Sequence, residues 1–179
     1  MGIRTVRTEG DECLRKICKP VKNVSLRTKI LIEDMFDTMY ETGGVGLAAP
    51  QVGILKRIVV IDTDDNQHVL INPEILETSG EQTGYEGCLS IPGKSGIVTR
   101  PNYVKVKALN EHGEEYILEG EGLLARCICH ECDHLDGILY SDKAEGGLVN
   151  NEDLSDDEEE ELYEDVYEEF SEEEDGIHE

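Results

Sequence analysis

The stretch CICHECDHLDG, residues 127–137, concentrates side chains that bind metal ions or move protons. Successive residues of an α-helix are rotated by about 100°, so His130 and His134 would project about 40° apart, one turn from each other. Glu131 would flank the same face. This spacing is the H-E-x-x-H motif, in which two imidazoles bind one metal ion and the glutamate acts as general base. The stretch therefore predicts a hydrolytic metal centre on a helix.

The third protein ligand of this centre is not evident from the stretch itself. A catalytic site of this type uses three protein ligands and keeps a fourth position for water. Downstream, Asp136 and the acidic C-terminal residues offer carboxylates. Upstream, Cys88 in YEGCLSIPG is either a ligand or a small buried apolar residue. The residues by themselves leave these options open.

A glycine- and alanine-rich segment, GGVGLAAPQVG at residues 43–53, would let the backbone approach a ligand closely. It follows a predicted helix and lacks a Lys-Ser/Thr ending, so it is neither a phosphate-binding loop nor a dinucleotide fingerprint. Gln51 near its end supplies an amide that can donate a hydrogen bond.

The elements that must position these groups follow from the apolar periodicity. One helix is predicted from an N-cap at Ser25 to about Glu41, and a second over residues 123–135. Between them, β-rich segments predict strands at 57–62, 68–76, 98–109 and 114–118, the last two forming a hairpin. The order of helix, strands and helix, without alternation, predicts an α+β fold with antiparallel or mixed sheets.

Charge divides the chain of 179 residues into two parts. Residues 151–179 contain 17 Asp and Glu and no Lys or Arg, whereas residues 1–150 contain 24 acidic and 16 basic residues. We therefore expect a catalytic domain at 1–150 and an acidic C-terminal tail at 151–179. The tail is either disordered or helical, and a helix would align the apolar side chains Leu162, Tyr163, Val166, Tyr167 and Phe170 on one side.

Composition also excludes several classes of function. The acidic balance lacks the basic footprint of a nucleic-acid binder, and no apolar run reaches the length of a transmembrane helix. The start, MGIRTVRTEG, lacks the apolar core of a secretory signal, so a cytoplasmic location is expected. The six cysteines are then expected to be reduced thiols or metal ligands.

Three separated motifs, GVGLAAPQ at 44–51, EGCLS at 86–90 and HECDH at 130–134, together resemble those of bacterial peptide deformylases. The resemblance covers about residues 4–143. It implies sheets arranged around a central helix that carries the H-E-x-x-H motif. It also implies a metal-dependent hydrolase that removes the N-formyl group from N-formylmethionine of newly synthesised polypeptides and releases formate.

The resemblance further implies a metal site and a base. Cys88, His130 and His134 would bind the metal ion, with water in the fourth position. Glu131 would accept a proton from that water and deliver it to the leaving amine. Family members use Fe(II), so Fe(II) is the expected ion in the cell, and Zn, Ni or Co would suit the same ligands.

The remaining implied roles concern the substrate. The Leu89 N–H and the Gln51 side-chain amide would bind the oxyanion. The peptide would lie strand-like and its methionine would enter an apolar pocket, with contacts from Val45, Gly46, Gly87, Leu123 and Cys127. Arg126 is expected to be a surface arginine whose stem packs on the core.

The expected partners are N-formylmethionyl nascent peptides, with transient proximity to the ribosome but no direct contact with nucleic acid and no membrane. Two departures from the family stand out. The segment GKSG at 93–96 replaces an arginine of some relatives, and the acidic tail replaces the basic C-terminal helix of others.

Two alternative hypotheses remain. A zinc endopeptidase would take its third ligand downstream of the helix instead of using Cys88. A catalytically inactive scaffold would bind a basic partner through the acidic tail, although such a protein would not need Glu131 and Gln51.

Overall fold

The computed structural model describes residues 2–160 of the chain. Two α-helices, α1 (Leu26–Glu41) and α2 (Leu123–Leu135), accompany eight strands. The strands are β1 (Gly46–Ala48), β2 (Ile58–Asp62), β3 (Gln67–Ser79), β4 (Gln82–Cys88), β5 (Ile91–Arg100), β6 (Tyr103–Leu109), β7 (Glu115–Glu121) and β8 (Glu145–Asn150). No helix in this part of the chain is long and apolar enough to cross a membrane.

The strands form two antiparallel sheets, which confirms the predicted α+β class. The five-stranded sheet has the order β1-β2-β3-β6-β7, and the three-stranded sheet has the order β4-β5-β8. The predicted hairpin is formed by β6 and β7, whose partners run from Tyr103↔Glu121 to Leu109↔Glu115.

The helices occupy opposite faces of the five-stranded sheet. On one face, Val59 and Ile61 of β2 pack in a cluster with Ile128 and Leu135 of α2. On the other face, Ile58 and Val60 of β2 pack with the apolar stripe of α1, which is formed by Ile32, Met35, Phe36 and Met39. Alternate residues of a strand point to opposite faces, so β2 is buried on both sides and α2 is central to the molecule.

Both predicted helices are confirmed. The Ser25 hydroxyl accepts a hydrogen bond from the Thr28 N–H at 3.3 Å and so caps α1 as expected. The α2 helix spans the predicted residues and ends two residues before Gly137, which has φ 73°.

One strand prediction was wrong. The predicted strand at 98–109 is divided between β5 and β6, because Pro101 and Asn102 form the turn that separates two different sheets. Proline has no N–H to donate to a ladder and therefore interrupts a central strand. The apolar pattern also did not predict β1, β4 and β8, which are short or rich in glycine and charge.

The N-terminal segment ties two of the sequence motifs together. The Arg7 N–H donates to the Gln51 carbonyl at 2.7 Å, and the Glu9 N–H donates to the Ser90 carbonyl at 2.8 Å. Through these backbone contacts, residues 7–9 hold the glycine-rich segment and the turn after Cys88 next to each other.

The described part of the acidic tail contacts the small sheet. The Ser95 hydroxyl lies 2.6 Å from Asn151 Oδ1, and the Tyr85 hydroxyl donates to Glu158 Oε1 at 3.2 Å. The predicted apolar side of a tail helix, Leu162 to Phe170, lies outside the described residues.

Candidate metal centre

The α2 helix presents its two histidines on one buried face, as its periodicity predicts. The rings of His130 and His134 lie 5.0 Å apart between centroids, in an edge-to-face arrangement. Both side chains are almost completely buried. Two imidazoles one helical turn apart can therefore reach one ion.

The end of β4 brings a thiol to the two histidines. Cys88, the last residue of β4, places its Sγ 3.4 Å from His134 Nε2, and ligand atoms of Cys88, His130 and His134 all lie within 4.8 Å of one another. In tetrahedral zinc coordination, bonds of about 2.3 Å to sulfur and 2.0–2.1 Å to nitrogen put such atoms about 3.5 Å apart. This thiolate and two imidazoles therefore fit a single divalent metal ion.

Glu131 borders this group of ligands. Its Oε1 lies 3.9 Å from His130 Nε2, and its Oε2 is buried without a hydrogen-bond partner among the described residues. Burial raises the pKa of Glu131 to about 7, a value suited to a group that accepts and returns a proton near neutrality. An unpartnered buried carboxylate oxygen at this point is a ready acceptor for a water molecule.

Gln51 is buried next to the ligands in a defined orientation. Its Oε1 accepts a hydrogen bond from the Ala48 N–H at 2.9 Å, which directs Nε2 toward Cys88 Sγ at 3.5 Å and Ser90 Oγ at 3.1 Å. Leu89 follows Cys88 in the two-residue turn between β4 and β5. The amide of Gln51 and the backbone of Leu89 thus flank the thiol.

A buried carboxylate that the sequence analysis missed orients His130. Glu86 Oε1 is hydrogen-bonded to His130 Nδ1, so the Nε2 of the ring is left for the metal. Arg100 binds the same carboxylate through two nitrogens, at 2.7 and 3.1 Å. Glu86 precedes Cys88 by two residues in a strand, and the period of two was the signal that could have found it.

The charges around Glu86 and His130 determine their pKa values. Burial alone would raise the pKa of Glu86, but the contacts from His130 and Arg100 hold it well below its usual value. Burial alone would lower the pKa of His130, but its contacts with Cys88 and Glu86 raise it well above the usual value. Burial, followed by the charge of His130, lowers the pKa of His134.

The expectation that Arg126 is a surface residue was wrong. Arg126 is 4% exposed, and its Nη1 donates to Glu86 Oε2 at 2.7 Å and to the Val98 carbonyl at 3.2 Å. Arg126 lies on the side of α2 that faces β4 and β5, so its guanidinium group meets these strands and not solvent. Arg126 therefore helps to neutralise the buried carboxylate.

The five residues expected to contact substrate fall into two groups. Gly46 packs directly on Glu131, and a Cβ added to it would come within 2.9 Å of Glu131 Oε1. Gly87 adjoins the ligand Cys88 in β4. Val45, Leu123 and Cys127 all pack in or against the apolar cluster between α2 and the five-stranded sheet.

Comparison with known proteins agrees with this arrangement. The family profile described as polypeptide deformylase matches residues 3–148. A peptide deformylase of Agathobacter rectalis is 64% identical over 148 residues, which cover 83% of this chain and 94% of that relative. A peptide deformylase of Lachnoclostridium phytofermentans is 59% identical over 164 residues, covering 90% of this chain and 99% of the relative.

Solved structures show the same likeness. The crystal structure of a peptide deformylase from Legionella pneumophila superposes with a TM-score of 0.78 at 47% identity, covering 81% of this chain and 88% of the other. That of peptide deformylase from Thermotoga maritima gives 0.79 at 43% identity, with coverages of 81% and 99%. The chain therefore belongs to the polypeptide deformylase family, the metal-dependent hydrolases that remove the N-formyl group from nascent polypeptides.

Proposed function

We propose that Cys88, His130 and His134 hold one divalent metal ion at which Glu131 assists the hydrolysis of the formyl group. The observation that carries this proposal is the convergence of the three ligand atoms within 4.8 Å beside the buried carboxylate of Glu131. The endopeptidase alternative requires a third ligand downstream of α2, whereas the group of three in residues 2–160 that could hold an ion includes the upstream thiol of Cys88, which favours the deformylase.

The metal supplies one part of the chemistry. A bound divalent ion acts as a Lewis acid and lowers the pKa of water from about 15.7 toward 7. Glu131 accepts the proton of the attacking water, because its buried Oε2 has no hydrogen-bond partner within residues 2–160. The same carboxyl group then protonates the departing amine, so that formate and a free amino terminus leave the site.

Gln51 and Leu89 stabilise the charge that develops on the formyl oxygen. The Ala48 N–H holds the Gln51 amide so that its Nε2 points toward the ligand Cys88, and the amide needs no reorientation during the reaction. The Leu89 N–H adjoins the same thiol through the chain. Both donors lie beside Cys88, which would hold the metal ion, and they would donate to the formyl oxygen as its charge develops.

The nascent peptide lies between two sheet edges. Within residues 2–160, β1 is an edge of the five-stranded sheet and β4 is an edge of the three-stranded sheet. The chain segments next to these edges approach each other, since a Cβ on Gly44, before β1, would come within 2.7 Å of Leu89 Cδ1, after β4. Strand edges offer unpaired backbone groups to an added extended segment, so Val45, Gly46 and Gly87 provide the peptide contacts. The side chains of Val45, Leu123 and Cys127 line the pocket for methionine.

The ion in the cell is Fe(II). Thiolate and imidazole ligands suit Fe(II), Zn, Ni and Co, and affinity alone does not choose among them. The choice of Fe(II) rests on the resemblance to deformylases that use it.

The protein works in the cytoplasm, where N-formylmethionyl peptides emerge, and transiently near the ribosome. Residues 1–150 form the catalytic domain. The acidic tail at 151–179 would be repelled by ribosomal RNA, so it does not dock there directly.

Formate release from formyl-Met-Ala-Ser tests the proposed role of Glu131. We expect Glu131→Gln to retain the metal ion and to lose about 10²- to 10⁴-fold in kcat, the usual contribution of a general base. The matched control is Glu33→Gln, which removes an exposed carboxylate of α1. Equal formate release by the wild type and Glu131→Gln would contradict the proposal.

A further inference from the structure

Tyr140 packs on a metal-ligand candidate but belongs to none of the three motifs. It opens a short 3₁₀ helix, Tyr140–Asp142, after α2, and its side chain is 1% exposed. Its ring stacks on that of His130 with a centroid distance of 5.9 Å and an interplanar angle of 26°. Together with Glu86 at Nδ1 and the edge-on ring of His134, Tyr140 confines the imidazole of His130.

The hydroxyl of Tyr140 reaches a different element. It donates to the Lys94 carbonyl of β5 at 3.3 Å. This part of β5 departs from regular pairing, because Glu86 pairs with Gly96 whereas Cys88 pairs with Ile91. The single residue Gly87 of β4 therefore faces the four residues 92–95 of β5.

The Lys94 carbonyl lies directly behind Gly87. A Cβ added to Gly87 would meet this oxygen at 3.7 Å, the nearest atom to it. A bulged strand lacks some of the ladder hydrogen bonds that hold regular backbone in place. Lys94 is paired with Asn150 of β8, and the hydroxyl of Tyr140 adds a further contact to it next to the β4 edge.

We propose that Tyr140 is a positioning residue with two separable tasks. Its ring holds the His130 imidazole in the plane needed for metal binding. Its hydroxyl holds the bulge of β5 and thereby the edge of β4 at Gly87, on which the peptide lies. The inference rests on the proposed ligand set and peptide edge.

The variant Tyr140→Phe removes the hydroxyl and keeps the ring. In the full-length, metal-loaded protein, we expect KM for formyl-Met-Ala-Ser to rise about three- to tenfold, the range of one neutral hydrogen bond. The absorption spectrum of the Co(II) form should stay unchanged, because the stack on His130 remains.

The variant Tyr140→Leu removes the ring as well. We expect the affinity for Co(II) to fall about 10- to 100-fold, as for other residues that orient metal ligands, and the d–d absorption bands of bound Co(II) to shift. A purely structural role of Tyr140 would lower stability without shifting these bands. If Tyr140→Leu does not fold, Tyr140→Met removes the ring with a side chain whose volume is closer to that of tyrosine.

Tyr116→Phe is the matched control. The Tyr116 hydroxyl also donates to a backbone carbonyl, that of Val69 in the five-stranded sheet. Removing this hydroxyl removes a hydrogen bond comparable to that of Tyr140, but away from β4 and His130. We therefore expect neither KM nor the Co(II) spectrum to change.

The outcomes separate the inference from the proposed function. Unchanged KM in Tyr140→Phe, or an equal rise in Tyr116→Phe, overturns the task of the hydroxyl. An unchanged Co(II) spectrum and affinity in the variant without the ring overturn the task of the ring. Cys88→Ser tests the ligand set itself, since retention of the thiolate-to-Co(II) charge-transfer band in that variant contradicts the proposed metal site and not Tyr140.

Discussion

Single side chains at the candidate metal centre are held in one orientation by their hydrogen bonds. Gln51 is the clearest case, because its carbonyl oxygen is occupied by the Ala48 N–H and only its amide nitrogen faces the thiol of Cys88. A donor fixed before the reaction begins stabilises developing charge without a cost of reorientation.

We expect Gln51→Leu to lose about 2.7–4 kcal/mol of transition-state stabilisation, which corresponds to about 10²- to 10³-fold in kcat. KM should change little, since the contact is made to the oxyanion and not to the ground-state peptide. Steady-state formate release measures both constants. Gln67→Leu, at an exposed glutamine of β3, is the control, and full activity of Gln51→Leu would refute the role of Gln51.

Glu86 is the residue whose loss we expect to cost the most stability. It shares its carboxylate among Arg100, Arg126 and His130, all buried. Glu86→Gln leaves two buried guanidinium groups with reduced compensation, so we expect the free energy of unfolding to fall by about 3–5 kcal/mol. Chemical denaturation of the metal-free protein measures it. Glu74→Gln, at an exposed residue 3.6 Å from Lys107, should cost at most about 1 kcal/mol.

The same carboxylate makes the fold sensitive to acid. The folded-state pKa of Glu86 is below its unfolded value of about 4.3, so the unfolded chain binds a proton more readily. Its stabilisation is complete above that unfolded pKa and is lost as pH falls toward the folded pKa. The stability difference between wild type and Glu86→Gln should therefore shrink below about pH 4. A difference independent of pH down to 3 would contradict this assignment.

At the scale of elements, the centre depends on how closely β1 approaches α2. Gly46 in β1 touches the side chain of Glu131, and no larger residue fits without moving one of them. The helix carries His130, Glu131 and His134, while the strand edge limits where the Glu131 carboxylate can lie.

Gly46→Ala tests this approach. An added Cβ would lie 2.9 Å from Glu131 Oε1, so the carboxylate must shift. A displacement near 1 Å of a catalytic group can cost about 10²-fold, and we expect a fall of about 10- to 100-fold in kcat. Gly84→Ala in β4 is the control, because its Cβ would meet only ordinary contacts, 3.6 Å from Arg126 Nη2. Similar losses in both variants would show that general strain, not Glu131, is responsible.

At the scale of the whole molecule, two antiparallel sheets and a central helix assemble one ligand set from distant parts of the chain. Cys88 comes from the three-stranded sheet, and the histidines come from the helix that lies against the five-stranded sheet. A metal ion held by Cys88, His130 and His134 would therefore link the two sheets.

Metal exchange tests the proposed ion. We expect protein loaded anaerobically with Fe(II) to be active and to lose activity in air, because Fe(II) and its thiolate ligand are oxidised. The Ni form should keep its activity in air, and the Zn form should be less active. Formate release by each reconstituted form, normalised to bound metal, measures this. A zinc form that is fully active in air would contradict Fe(II) as the working ion.

The sequence by itself determined the helices, most of the five-stranded sheet and the placement of His130, Glu131 and His134 on one face. These features depend on local periodicity and on capping residues, both of which are visible in the amino-acid sequence. The spacing of three motifs also indicated the family, and comparison confirmed it.

Only the tertiary structure decided which groups surround those residues. Arg100 and Arg126 reach the carboxylate of Glu86, and Tyr140 reaches both His130 and Lys94, across separations in the chain that no periodic pattern encodes. The turn at Pro101 likewise sends β5 and β6 to different sheets. Such contacts arise from the packing of α2 between two sheets, because burial forces each polar group to find its partner wherever the fold provides one.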